Sequence, residues 1–218
     1  RQYGSGRSLG KRTGSFMKRA ARWEWALLIA LLVSFAWGTW ADRTQQQLSD
    51  KVVRLHVLAN SDSEADQALK RKVRDSVLEA ASAILEGCPD RETAEQRLSA
   101  ALPEIEDAAR ARIAAEGGKQ TVTAELRPTV FPTREYEDFT LPAGEYLALR
   151  VVLGEGEGHN WWCVVFPPLC AETTSSLSQT AMAAGLTEDD IALITESDGY
   201  QLKFKTLELW EKLRAFFS

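Results

Sequence analysis

The chain changes its hydrophobic rhythm several times, and each change predicts an element. From Trp25 to Ala41 the seventeen residues WALLIALLVSFAWGTWA are apolar apart from small polar side chains. A core helix keeps one polar face, and this run has none. Its length lies at the lower limit for crossing a bilayer and suits the hydrophobic stretch of a signal sequence. After the polar DRTQQQLSD, the segment KVVRLHVLA alternates, with Val53, Leu55 and Val57 on one face and Arg54, His56 and Leu58 on the other, the period of a strand. NSDSEAD supplies turn chemistry and candidate helix caps at Ser61 and Ser63. In QALKRKVRDSVLEAASAIL the apolar positions Leu69, Val73, Val77, Ala80, Ala81 and Ile84 recur at helical spacing, and Gly87 and Pro89 end the pattern. RETAEQRLSAALPEIEDAARARIAAEGG repeats it, with Pro103 predicting a kink or a restart and Gly117 and Gly118 a stop.

Beyond Gly118 the period shortens to two. TVTAEL and EYLALRVVLG alternate as half-buried strands, and WWCVVF reads as a buried one. Between the first two, RPTVFPTREYEDFTLPAG holds three prolines and reads as a surface loop. SLSQTAMAAGLTEDDIALI reads as helical pieces, and YQLKFKTLELWEKLRAFF as a strand passing into a last helix. Helices followed by strands without regular alternation predict an α+β fold: two long N-terminal amphipathic helices packed on a small, mostly antiparallel sheet, preceded by a signal or anchor helix. The expected divisions are 1–24, a basic segment; 25–41, signal peptide or membrane anchor; 42–50, a linker; and 51–218, an exported domain.

Charge sharpens this division. The first 22 residues carry seven basic side chains and no acid, whereas from Asp42 onward 19 basic and 30 acidic side chains leave a net charge of −11. A basic flank before an apolar run places the downstream chain on the far side of a membrane. Met17 stands directly before KRAAR, so a start at Met17 gives a compact export signal, with Thr39 and Ala41 as the small residues before a cleavage at Asp42. An acidic exported domain is a poor ligand for nucleic acid, so its partners are expected to be proteins, with the membrane itself contacted only if the apolar run stays uncleaved.

The densest candidate chemistry is GEGEGHNWWCVVFPPLC, Gly154 to Cys170. Its glycines lack the dinucleotide spacing and a following Lys-Ser/Thr, and Glu155 and Glu157 would repel phosphate, so a tight turn is expected. Two histidines and three cysteines without zinc spacing give no metal set, and no cofactor is implied. A thiol hydrolase would need Cys163 near a histidine and usually at a helix N-terminus, yet it sits in a strand pattern. His159, four residues upstream, would lie about 13 Å away along an extended chain. In an oxidising compartment Cys163 and Cys170 can instead close a loop around Pro-Pro, worth about 2.5 kcal/mol. Cys88 is then left over, as a buried thiol at a helix end or as one half of an intermolecular bridge. Trp161 and Trp162 face opposite ways on a strand, one into the core and the other under a loop or outward.

Three stretches carry a resemblance: VVRLHVLANSDSEADQALKRKVRDSVL, LPAGEYLALRVVLGEGEGHNWWCVVFPPLC and LKFKTLELWEKL. In order and content they resemble the stage II sporulation protein R family (SpoIIR) of spore-forming bacteria, from Lys51 to Leu213. The resemblance implies a signalling protein and not an enzyme. It would be made in the forespore, exported into the space between the two membranes, and there activate a membrane-embedded aspartic protease of the SpoIIGA type. That protease removes the pro-sequence of sigma-E in the mother cell. The carried-over positions are Arg54, His56, Asn60, Ser61 and Asp62 in the first motif, and Gly144, Glu145, His159, Asn160, Trp161, Trp162, Cys163 and Cys170 in the second. The end of the first strand and the glycine turn are expected to meet and form the protease-contacting surface, using Arg54, His56, Asn60, Asp62, Glu145, His159, Asn160, Trp161 and Trp162. The competing readings are an exported cell-envelope Cys/His hydrolase and a structural protein tethered by an uncleaved helix.

Overall fold

The computed structural model describes residues 13–136, 138–169 and 177–195. The chain divides into two compact units, Arg1–Arg43 and Thr44–Ser218. The expected strand and helix of the YQLKF tail, and Cys170, lie outside the described residues.

Helix α1, Thr13–Ser49, forms where the apolar run predicts it, and Trp25, Leu27, Ile29, Leu31, Val33 and Phe35 are all exposed on it. Among the described residues no helix is long and apolar enough to cross a membrane. The stretch read as a linker is helical to Ser49. Gln and Leu favour the helix, and Leu48 is fully buried, so a single apolar residue in a polar run fastens it to the fold.

Strand β1, Val53–Leu58, is followed by α2, Glu64–Leu85. Ser63 caps α2 by accepting the Asp66 N–H at 3.2 Å, and Glu64 and Asp66 place negative charge in its first turn. Its buried stripe is Lys70, Val73, Val77, Ala81 and Leu85. The second helical stretch divides as expected at Pro103, into α3, Arg91–Ala100, and α4, Leu102–Ala115. Proline cannot donate to the preceding turn, but it is well tolerated in the first turn of a new helix.

Strand β2, Val122–Phe131, is longer than the alternation predicted and runs through Pro128 into the stretch read as loop. It is an edge strand, where a missing N–H faces no partner. The rest of that stretch holds β3, Arg134–Glu135, paired with β4, Thr140–Leu141. Strands β5, Gly144–Leu153, and β6, Asn160–Phe166, precede α5, Leu177–Ala183, and α6, Glu188–Thr195.

The fold is α+β, but the sheet is mixed. Its order is β2-β5-β1-β6, with β1 parallel to β5 at the centre and antiparallel pairs on either side. A strand separated from its neighbour by three helices and three strands returns in the same direction, which local alternation does not reveal. One face of the sheet packs α2, α3 and α4 against Val53, Leu55, Val57, Leu149, Val151 and Val165. The other face is covered as well, by Leu48, Phe131, Phe139, Leu141 and the apolar sides of α5 and α6. Every residue of β1 is therefore buried, including Arg54 and His56.

Candidate functional site

β1 ends at Leu58, and the next residues, Ala59 to Asp62, bend toward the N-terminus of α2. On one side lies the turn Gly154–Gly158, which joins β5 to β6. Glycine is required there for two separate reasons. Gly154 has φ +58°, and a Cβ on it would sit 2.1 Å from Asn60 Oδ1. A Cβ on Gly158 would sit 2.3 Å from the backbone oxygen of Ser61. The turn's amides are all spent inside the protein. Glu155 N–H donates to Asn60 Oδ1 at 3.1 Å, Glu157 N–H to Asn60 O at 3.3 Å, Gly158 N–H to Ala59 O at 3.0 Å and His159 N–H to Asp62 Oδ1 at 2.6 Å. A loop whose donors are so engaged has none to offer a phosphate.

Beneath this contact lies Asp66. It accepts from Ser61 Oγ at 2.6 Å, Asn60 Nδ2 at 2.9 Å and Gln120 Nε2 at 3.1 Å, and these bonds, the Ser61 hydroxyl first, hold its carboxyl below the ordinary value. Lys70 is buried and donates to Gln67 Oε1 at 2.6 Å and to the His159 carbonyl at 2.7 Å, and burial lowers its pKa. The two motifs are thus fastened through Asn60, Asp66 and Lys70.

On the outside, Asp62 accepts from the His159 backbone and from its Nδ1, and the backbone bond is the main reason its carboxyl is held low. The side chains of His159 and Asp62 are 77% and 55% exposed, so this pair faces solvent. Beside it stand the exposed Asn160 and Trp161, the latter 36% exposed and roofed by Arg74 of α2 at 4.3 Å from the ring centroid. Arg74 is itself held by Asp75. Trp162 points to the opposite face and is half-buried against Phe131 and His56, beneath Arg134. Trp161 is therefore the outward-facing tryptophan.

The strand end and the glycine turn meet, with Asp62, His159, Asn160 and Trp161 of the expected residues exposed there. Arg54 and His56 are buried on the second face and are not presented to a partner, because β1 is central and both its faces are covered. His56 Nε2 meets Asn160 Oδ1 at 2.8 Å, and burial lowers the imidazole pKa. Asn60 is spent on the turn. Glu145 is exposed but stands at the other end of β5, about 26 Å from Leu153 at 3.3 Å per residue. Lys70 and Arg74 were not anticipated. A lysine at helical spacing with Val73 and Val77 was the available signal, since a charge on an apolar stripe needs a partner.

Cys163 is 4% exposed on a core-facing strand, and Cys88 is free and buried. Cys163 is thus not placed to serve as a hydrolase nucleophile. Among the described residues no group of three or more His, Cys, Asp or Glu side chains is placed to hold a metal ion.

These features define an α+β domain whose two sequence motifs meet at one solvent-facing edge. Residues 49–176 match the family described as stage II sporulation protein R, and the chain belongs to that family. It is 40% identical over 147 residues to stage II sporulation protein R of Bacillus subtilis (strain 168), a match covering 66% of each chain. No solved structure matches.

Proposed function

We propose that this protein is an intercompartmental signal of sporulation stage II. It is exported by its basic, apolar N-terminal segment into the space between forespore and mother cell. There it activates a membrane-embedded aspartic protease of the SpoIIGA type and so triggers processing of pro-sigma-E. It acts by contact and not by catalysis. Membership of the stage II sporulation protein R family is the observation that carries this reading. A protein partner is further supported by the exposed Asp62–His159 pair, Asn160 and the Arg74-roofed Trp161, since rigidly held aromatic and charged side chains are typical interface anchors. In this reading a Cys163–Cys170 disulfide fixes the strand behind this edge.

Co-expression with the protease and pro-sigma-E in a non-sporulating host tests it. Processing is expected with the full chain and not when the export segment is deleted. Trp161→Ala and Asp62→Ala, exported and folded normally, are each expected to lower processing at least about tenfold, the range of an interface hot spot. Full processing by both variants would remove this edge from the interface, and no processing by the native chain would sink the proposal.

A further inference from the structure

Arg54 is the largest fully buried side chain among the described residues, at 0% exposure, and it is a cation. A guanidinium keeps its proton at any physiological pH, so burial cannot neutralise it as it neutralises a lysine or a histidine. Buried guanidinium groups are therefore paired with acids, yet among the described residues no carboxylate forms an ion pair with Arg54. Its neighbours are aromatic. Cζ lies 4.1 Å from the Phe131 ring centroid and 5.0 Å from that of Tyr146, and Nη2 donates to Tyr136 Oη at 2.9 Å. Burial raises the Tyr136 pKa, so this phenol stays neutral and supplies no counter-charge. His56, two residues along the same face, has its pKa lowered and adds no negative charge either.

The rings stabilise the flat face of the guanidinium, whereas its N–H bonds point outward in its plane. Two of the in-plane nitrogens, Nε and Nη1, are buried without a hydrogen-bond partner. On the flanking strands Arg54 is in register with the short side chains of Ala148 and Val164. A fixed positive charge, unspent in-plane donors and apolar aromatic walls are together the chemistry of an anion cage.

We infer that Arg54, walled by Phe131, Tyr146 and Tyr136, binds a small monovalent anion of chloride or carboxylate size inside the second core. The ion is a structural counter-charge, and the site stands whether or not the protein activates a protease.

The test uses the full chain in detergent. At constant ionic strength, the thermal midpoint is expected to rise saturably as chloride replaces gluconate, which is too large to enter. The 35Cl resonance should broaden with the native chain and narrow when bromide competes. Arg54→Lys, which keeps the charge but removes Nε and Nη1, is expected to lose both effects. Should that variant not fold, crystals of the native chain grown in bromide decide alone. An anomalous peak within hydrogen-bonding distance of Arg54 supports the site. Water or a carboxylate of the chain itself at that position overturns it, as does a midpoint indifferent to the exchange of anions.

Discussion

His56 carries a titration whose sign can be worked out. Burial lowers its pKa from 6.5, with the Asn160 contact opposing this only in part. The unfolded chain therefore takes up a proton at a higher pH than the folded one. Stability from this group is complete above 6.5 and falls as pH drops from 6.5 toward the folded value. Thermal midpoints measured across that range are expected to decline for the native chain, and His56→Gln should flatten the decline. Asp62 and Asp66 act in another window. Their carboxyls are held below 3.8, so what they contribute is present above that value and is lost only as pH falls beneath it. Arg54 and His56 also show where residue-by-residue reading stopped short. Alternation identified their shared face, but polar side chains on a strand normally mark a solvent side. Nothing near Arg54 in sequence says that Phe131, about 77 residues away, closes over it.

At the scale of elements, the glycine turn and the end of β1 fit only as a pair. Gly158→Ala would drive a Cβ to 2.3 Å from the Ser61 carbonyl, an atom of the backbone that no side-chain rotation relieves. A loss of about 1–3 kcal/mol is expected from urea unfolding, as for an overpacked core site. Gly87→Ala, where nothing lies within 4 Å, is the control and should cost about 1 kcal/mol for its positive φ alone. An equal loss at both positions would show that the Ser61 contact is not tight. Elements with a long period were readable in advance: α2 from its apolar stripe and cap, the α3–α4 break from Pro103, and β1 from its alternation. Elements defined by distant partners were not. Pro128 disguised the second half of β2, and Leu48 gave no rhythm at all. The parallel β1–β5 pair depends on a register between residues about 94 apart, such as Val53 and Leu147.

For the molecule as a whole, the cysteines give a simple count. The chain has three, of which Cys88 is free. With Cys163 bridged to Cys170, the unfolded, unreduced protein is expected to titrate one thiol and the reduced protein three. Three thiols without reductant would remove the bridge from the proposal. The location of the solvent-facing edge was visible in the sequence as two motifs rich in turn residues and aromatics. Asp62, His159, Asn160 and Trp161 were legible with it, but the burial of Arg54 and His56 and the engagement of Asn60 were not, because which side chains are spent inside is settled only by packing.

The bond from His159 to Asp62 joins residues 97 positions apart. A chain that ends after its first motif lacks this contact altogether. The edge is complete only when β6 pairs with β1. Under the function proposed above, a product truncated before β6 is therefore expected to be silent instead of half-active.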